Sequence, residues 1–288
     1  MEEIAENVFI EESYPRVVLG VLKLDHGLLV VDSPFRLEDV LSWQSKLSHM
    51  GGGMERLLVL LDAHIDRSMT IREMETNVLS HENVKEIIHT RTAVSKNQDL
   101  EIGPDWTHTD FPVGFRCFSP QMTFSEEVLI HWDQKPIVVS HKPGAHIAAA
   151  WLVDDAKKVV FIGDSVLIEQ PPFLAMADLD AWIAEISWLQ TDRFKNFKIV
   201  SSRNGVIKPG SIRKMGSFLS KTKELVEDLA EEEAPLEGIP ELASQLLIKF
   251  DYDIQYHDRY LNRLTWGLEQ YFNRHYLVRG IETEGEDK

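Results

Sequence analysis

Apolar positions in the first thirty residues come in short runs, Val8 to Ile10, Val17 to Val21 and Leu28 to Val31, separated by polar or glycine-containing breaks. This Val/Leu/Ile-rich pattern predicts a β-meander over 7–32, with Asp25-His26-Gly27 closing its second turn as a hairpin. From Arg36 to Met50 the period changes. Leu37, Val40, Leu41, Trp43 and Leu47 recur at mostly helical spacing, and the glycines at 51–53 end the helix. The run "ERLLVLL" (55–61) is continuous enough for a strand buried on both faces. A helix is expected over 68–77, a short strand at "KEIIH" (85–89), and loop-rich chain from 90 to 122.

A second series of strand signals follows: "EEVLIHW" (126–132), "KPIVVSHKPGA" (135–145), "AAAWLVDD" (148–155) and "KKVVFIGDSV" (157–166). Two antiparallel pairings are expected here, with Asp154-Asp155 as a turn. A helix over 178–190, a strand at "FKIVSS" (197–202) and a helix over 211–231 complete the series. Beyond an acidic, proline-punctuated joint (227–242), Leu247, Phe250, Tyr256, Tyr260, Leu264 and Leu268 recur at helical spacing. The expected division is therefore a domain over 1–210 and a helical C-terminal extension over 211–288. The aromatic stripe of that extension serves as core, as a homodimer surface, or as a lid over a cleft.

Composition narrows the function. In 288 residues, 30 Lys and Arg face 47 Asp and Glu, a formal charge of −17 that repels a phosphate backbone and an anionic membrane surface. The acidic start "MEEIAENVFIEE" lacks a secretory pattern, and no apolar run reaches bilayer length, so the cytoplasm is the expected compartment. Cys117 is the only cysteine. Any metal must then be held by His and carboxylate.

One stretch concentrates such groups. In "LLDAHIDRS" (60–68) an extended chain would turn Asp62, His64 and Asp66 to one face and Ala63 and Ile65 to the other. Either three metal-competent side chains converge, or a strand simply ends in polar residues. His146 lies just after a Pro-Gly turn, and Asp164 follows "VVFIG" at the end of a buried strand, where ligands on loops project. The glycines at 51–53 lack the Lys-Ser/Thr of a phosphate loop, and Gly163-Asp164-Ser165 is not a nucleophile elbow.

Taken in order, "GLLVVDSP" with Asp32, "DAHIDR", "SHENV", "TFSEEVLIH", "PGAHIAAAW" and "VVFIGDSV" resemble the metallo-β-lactamase superfamily over residues 7–205. The resemblance implies a four-layer αββα sandwich. His64, Asp66, His146 and Asp164 match the family's metal-binding positions, while Asp62 stands where its first histidine would be. Arg67 stands at the last histidine of the motif, and Asn204 in "IVSSRNGVI" replaces the final one. Asp32 matches the aspartate that supports the metal loop from beneath, or is a turn carboxylate.

The resemblance implies one or two divalent metal ions, zinc, iron or manganese, with a mononuclear site on Asp62, His64 and His146 favoured. The function it implies is hydrolysis of a small ester-, thioester- or lactone-like substrate by a metal-activated water, oriented by Asp66. A guanidinium cannot bind a cation. The alternative is that Arg67 pairs with Asp164 or Asp66 and fills the second site, giving a non-catalytic binding or regulatory protein on the same fold.

Overall fold

A computed structural model describes residues 1–51, 55–90, 118–232 and 235–277. It has two mixed sheets. The first runs β1 (Glu2–Ala5), β2 (Val8–Glu11), β3 (Leu19–Lys23), β4 (Leu28–Val31), β5 (Arg56–Val59), β6 (Asn77–His81) and β7 (Met122–Phe124), neighbours in that order. Strands β2 to β4 form the antiparallel meander predicted over 7–32, with β1, ahead of that stretch, added antiparallel to β2; the pairs from β4 to β7 are parallel. The second sheet is ordered β13 (Gly205–Val206), β12 (Lys198–Ser201), β11 (Val159–Phe161), β10 (Ala150–Asp154), β9 (Ile137–His141) and β8 (Glu127–Ile130). Its central hairpins are antiparallel, and β11 pairs with β12 in parallel.

Three buried clusters divide the molecule into layers. Val8, Leu22, Leu29, Val59, Leu152 and Phe161 belong to the cluster that joins the inner faces of the two sheets. Gly20 on β3 makes their close approach feasible, because a Cβ there would fall 2.4 Å from the Phe161 ring. The outer face of the first sheet packs on α1 (Leu37–His49) and α3 (Glu82–Thr90) through Trp43, Leu47, Val84 and Ile88. The outer face of the second packs on α4 (Leu179–Leu189), α5 (Pro209–Ala230), α6 (Pro235–Leu247) and α7 (His257–Phe272). The architecture is the expected αββα sandwich with a C-terminal helical part.

Local expectations are corrected in four places. "KEIIH" is helical, within α3: buried Val84 and Ile88 are one turn apart, and His81 Nδ1 accepts the backbone N–H of Asn83 at the helix start. The neighbouring strand β6 had no prediction, because its polar end, Ser80-His81, hides a fully buried segment. Over 68–77 only a short helix forms, α2 (Ile65–Ser68), followed by turns ending at Glu75 with φ 51°. The acidic joint is not a linker throughout, since α6 begins at Pro235, a residue suited to a first helical turn. Most of the stretch expected to be loop-rich, 91–117, lies outside the described residues.

Helix α4 fixes the Pro143-Gly144-Ala145-His146 turn. Glu185 on α4 accepts the Gly144 backbone N–H at 3.2 Å, and a Cβ at Gly144 would collide with Trp182 and Glu185. Burial pushes the Glu185 carboxyl up to about 7, and only the Gly144 hydrogen bond and Lys142 pull it back. The folded chain thus holds this proton to higher pH than the unfolded chain. Its stabilising contribution is complete below the unfolded value and is lost as pH rises through about 7. Glu185→Gln is expected to stabilise the fold by about 1–3 kcal/mol at about pH 8 and to be neutral near pH 4.5. Urea denaturation at the two pH values checks this; an equal gain at both would assign the effect to packing.

Candidate functional site

Chain segments leaving five strands meet at one edge of the sandwich. After β4 the chain reaches Asp32, held at φ 60° with its carboxylate fully buried. Asp32 Oδ1 accepts the Leu61 backbone N–H at 3.0 Å and Oδ2 accepts the Ser202 hydroxyl at 2.9 Å. It therefore ties the loop after β5 to the end of β12, from beneath. After β5 come Asp62, His64, Asp66 and Arg67; after β11, Gly163 at φ 57° turns the chain and presents Asp164. His146 comes from the turn between β9 and β10.

All five residues singled out as metal ligands are buried here, at 2–7% exposure. Asp62, His64, His146 and Asp164 line one cavity of about 10 Å³, closed by Phe173 and Trp182 among others. That is about enough for one water molecule. Asp66 is oriented otherwise, toward the arginines described below.

The space between these side chains is bridged by guanidinium groups. Arg67, with no exposed surface, places Nη1 3.1 Å from Asp62 Oδ2 and Nη2 2.7 Å from Asp164 Oδ2, with Asp32 Oδ2 at 3.7 Å from Nη1. Arg203, which follows β12, donates from Nε to Asp164 Oδ2 at 2.9 Å and from Nη1 to Asp66 Oδ2 at 2.7 Å. Its Nη2 lies 3.1 and 3.2 Å from the two ring nitrogens of His64. Arg16 adds a third contact, Nη1 to Asp66 Oδ1 at 3.3 Å. Of the pairings expected for Arg67, that with Asp164 is present.

The imidazoles are also committed. His64 Nδ1 accepts the Asp66 backbone N–H at 3.2 Å, capping α2, and His146 Nδ1 accepts that of Ala148 at 3.0 Å. In a neutral ring this puts the proton on Nε2, which then has no lone pair to offer a cation. Every carboxylate of the cluster already faces a guanidinium, and both rings use Nδ1 on the backbone. The residues present do not fit a divalent ion in this arrangement, and among the described residues no group of three His, Cys, Asp or Glu is placed to hold one.

Charge distribution follows from the same geometry. Four carboxylates, Asp32, Asp62, Asp66 and Asp164, share three guanidiniums, Arg16, Arg67 and Arg203. Burial raises the Asp62 carboxyl above its ordinary range, and Asp164 and Asp32 add to this against the pull of Arg67. Burial likewise raises Asp32. Burial also opposes ionisation of Asp164 and Asp66, but the guanidiniums outweigh it, with Arg203 and Arg67 acting on Asp164 and Arg203 and Arg16 on Asp66, so both are held below the usual carboxylate range.

The resemblance points to Asn204 and not to its neighbour Arg203. Asn204 instead faces a loop, accepting the Ile168 N–H at 2.9 Å and donating to Ile168 O at 3.1 Å. The available signal was a second arginine at the end of a buried strand, on the sheet edge where carboxylates gather. The helical extension reaches this edge too. Arg263 of α7 stacks on Phe173 at 4.0 Å, the same ring that Arg203 covers at 4.8 Å, and donates to Gln170 and Pro171.

Arg67→Met is expected to cost about 3–5 kcal/mol, because it leaves buried carboxylates uncompensated. Combined with Asp164→Asn it should cost less than the sum of the single changes by about 1–3 kcal/mol. A double-mutant cycle by chemical denaturation measures this; additive losses would mean that the pair is not coupled.

No family model matches the chain, and no curated protein matches it. Solved structures do. A metallo-beta-lactamase from Pontibacter korlensis aligns with a TM-score of 0.56 at 16% identity, over 76% of this chain and 97% of its own. The metallo-beta-lactamase family protein TTHA1429 from Thermus thermophilus aligns at 0.63 and 15%, over 94% and 95%. The sec-alkyl sulfatase PisA1 aligns at 0.65 and 10%, over 99% of this chain and 51% of its own. At such identities these similarities establish the fold, which is that of the metallo-β-lactamases. No helix among the described residues is long and apolar enough to cross a membrane.

Proposed function

We propose that this chain works without a metal, as a binding or regulatory protein on the metallo-β-lactamase fold, with Arg67 and Arg203 taking over the charge balance of a metal centre. The observation that carries this reading is the position of Arg67: fully buried, its two terminal nitrogens are shared between Asp62 and Asp164. A guanidinium fixed in that way satisfies carboxylates as a cation would, with no exchangeable ion. The small cavity beside it supports the same reading, since about 10 Å³ leaves no room for an organic substrate next to the cluster.

The competing reading is a metal-dependent hydrolase of a small ester-, thioester- or lactone-like substrate. It draws on the meeting of Asp62, His64, His146 and Asp164 around one cavity. It also requires two buried arginines to give up their contacts with Asp62, Asp66 and Asp164. That rearrangement favours the metal-free reading.

Elemental analysis of the untagged chain separates them. Purified without added metal, and again after incubation with zinc, manganese or iron(II) and desalting, the protein is expected to carry far less than one ion per chain. A chelator should leave its Tm unchanged. Near-stoichiometric metal that Asp62→Ala and His146→Ala each remove would overturn the proposal and establish the hydrolase site.

A further inference from the structure

On the outer helical layer, α5 and the end of α6 enclose a groove of about 1200 Å³, bordered by the loop at Leu167, Ile168 and Glu169; no residue of the guanidinium cluster lines it. This exceeds the usual volume of a small-molecule pocket. The groove follows α5 from Gly210 to Leu225, about 22 Å at the helical rise.

Its walls have two characters, set by the helix period. Met215, Phe218 and Leu225 form an apolar stripe on α5, continued across the groove by Leu246 and Phe250, whose ring packs edge-on against Phe218 at 4.8 Å. Beside that stripe, offset by one position, α5 carries Arg213, Lys214, Ser217 and Lys221, and Lys249 faces them from the end of α6. Lys221 is paired with Glu224 at 2.6 Å. Among the described residues Arg213, Lys214 and Lys249 make no ion pair. Among the described residues the only carboxylates on the lining are Glu169 and Asp251. In a chain with formal charge −17, a groove lined by four cations and two anions inverts the general balance.

We propose that this groove binds an amphipathic anion, a long-chain carboxylate, with its hydrocarbon tail against Leu225, Ile248 and Phe250, the apolar lining residues that keep accessible surface, and its head group among Arg213, Lys214 and Lys249. The backbones of α5 and α6 are satisfied within their helices, so the groove has no strand edge with which to recognise an extended peptide. What it offers is apolar area along its length and positive charge at its rim. A linear chain with one charged end matches both. The inference does not depend on the state of the Asp62 and Arg67 cluster.

Isothermal titration of the intact chain with dodecanoate, kept below its micelle concentration, tests the proposal. Saturable binding of one dodecanoate per chain is expected, with no detectable binding of butyrate, which lacks the tail, or of dodecyltrimethylammonium, which carries the opposite charge. Lys214→Glu combined with Lys249→Glu, both exposed positions that leave the fold intact, should weaken dodecanoate binding at least tenfold. Absence of saturable binding, unchanged affinity in the double variant, or equal binding of the cationic amphiphile would each overturn it. So would a dimer, seen by sedimentation, that Ile248→Asp dissociates and dodecanoate does not, since that would give the groove to a second copy of the chain. Attachment to anionic vesicles without binding of monomeric dodecanoate would likewise assign the groove to a membrane surface instead.

Discussion

The pairing of Arg67 with Asp62 and Asp164 is the interaction on which the site edge of the molecule depends. Four carboxylates are buried there, from chain segments that follow β4, β5 and β11. Without compensation they would repel one another in a medium that screens poorly. Arg67 lies within 4 Å of three of them, and Arg203 joins the fourth to Asp164. The guanidinium suits this task because it is planar, permanently charged and able to donate in several directions at once. A lysine would offer one point charge on a flexible stem.

The surroundings are arranged to keep that cluster in place. Asp32 reaches the Leu61 backbone and the Ser202 hydroxyl, so the loops after β5 and β12 are tied through a single carboxylate. Phe173 lies between Arg203 and Arg263 and extends the packing of the cations to α7. The helical extension is therefore part of the closure of the site, through its share of the outer core with Trp182, Leu219 and Leu268. Within the cluster Asp62 and Asp32, whose carboxyls burial raises, hold a proton more readily, while the arginines beside Asp164 and Asp66 favour their ionised forms.

The solved structures that share this fold include beta-lactamases and a sec-alkyl sulfatase. A fold accommodates unrelated chemistries, and the chemistry is decided by the side chains of the site it carries. Here the edge keeps the carboxylates and two imidazoles and brings arginines among them. The apolar groove along α5 sits on the outer helical layer, apart from the sheet edge. Binding there and balance of charge at the sheet edge are separate properties of one scaffold.

Hydrophobic pattern by itself determined most of the strands and helices, and the resemblance carried by the ordered motifs supplied their arrangement in layers. The apolar runs at 7–32 and 157–166 and the helical spacing at 36–50 and 211–231 each bury a face whatever their neighbours do, so local sequence carries the information. It failed at β6 and α3, where a buried strand with a polar end and a short amphipathic helix look alike over five residues. The meeting of Asp62, His64, His146 and Asp164 was legible through the resemblance, which assigns these positions to one site. Their partners were not. Whether Arg67 points to Asp164 or to Asp66, and that Arg203 rather than Asn204 turns inward, depends on side-chain direction at the ends of strands from two different sheets. Residues more than a hundred positions apart become neighbours only when the sheets pack, and only that packing removes the water that would otherwise separate their charges.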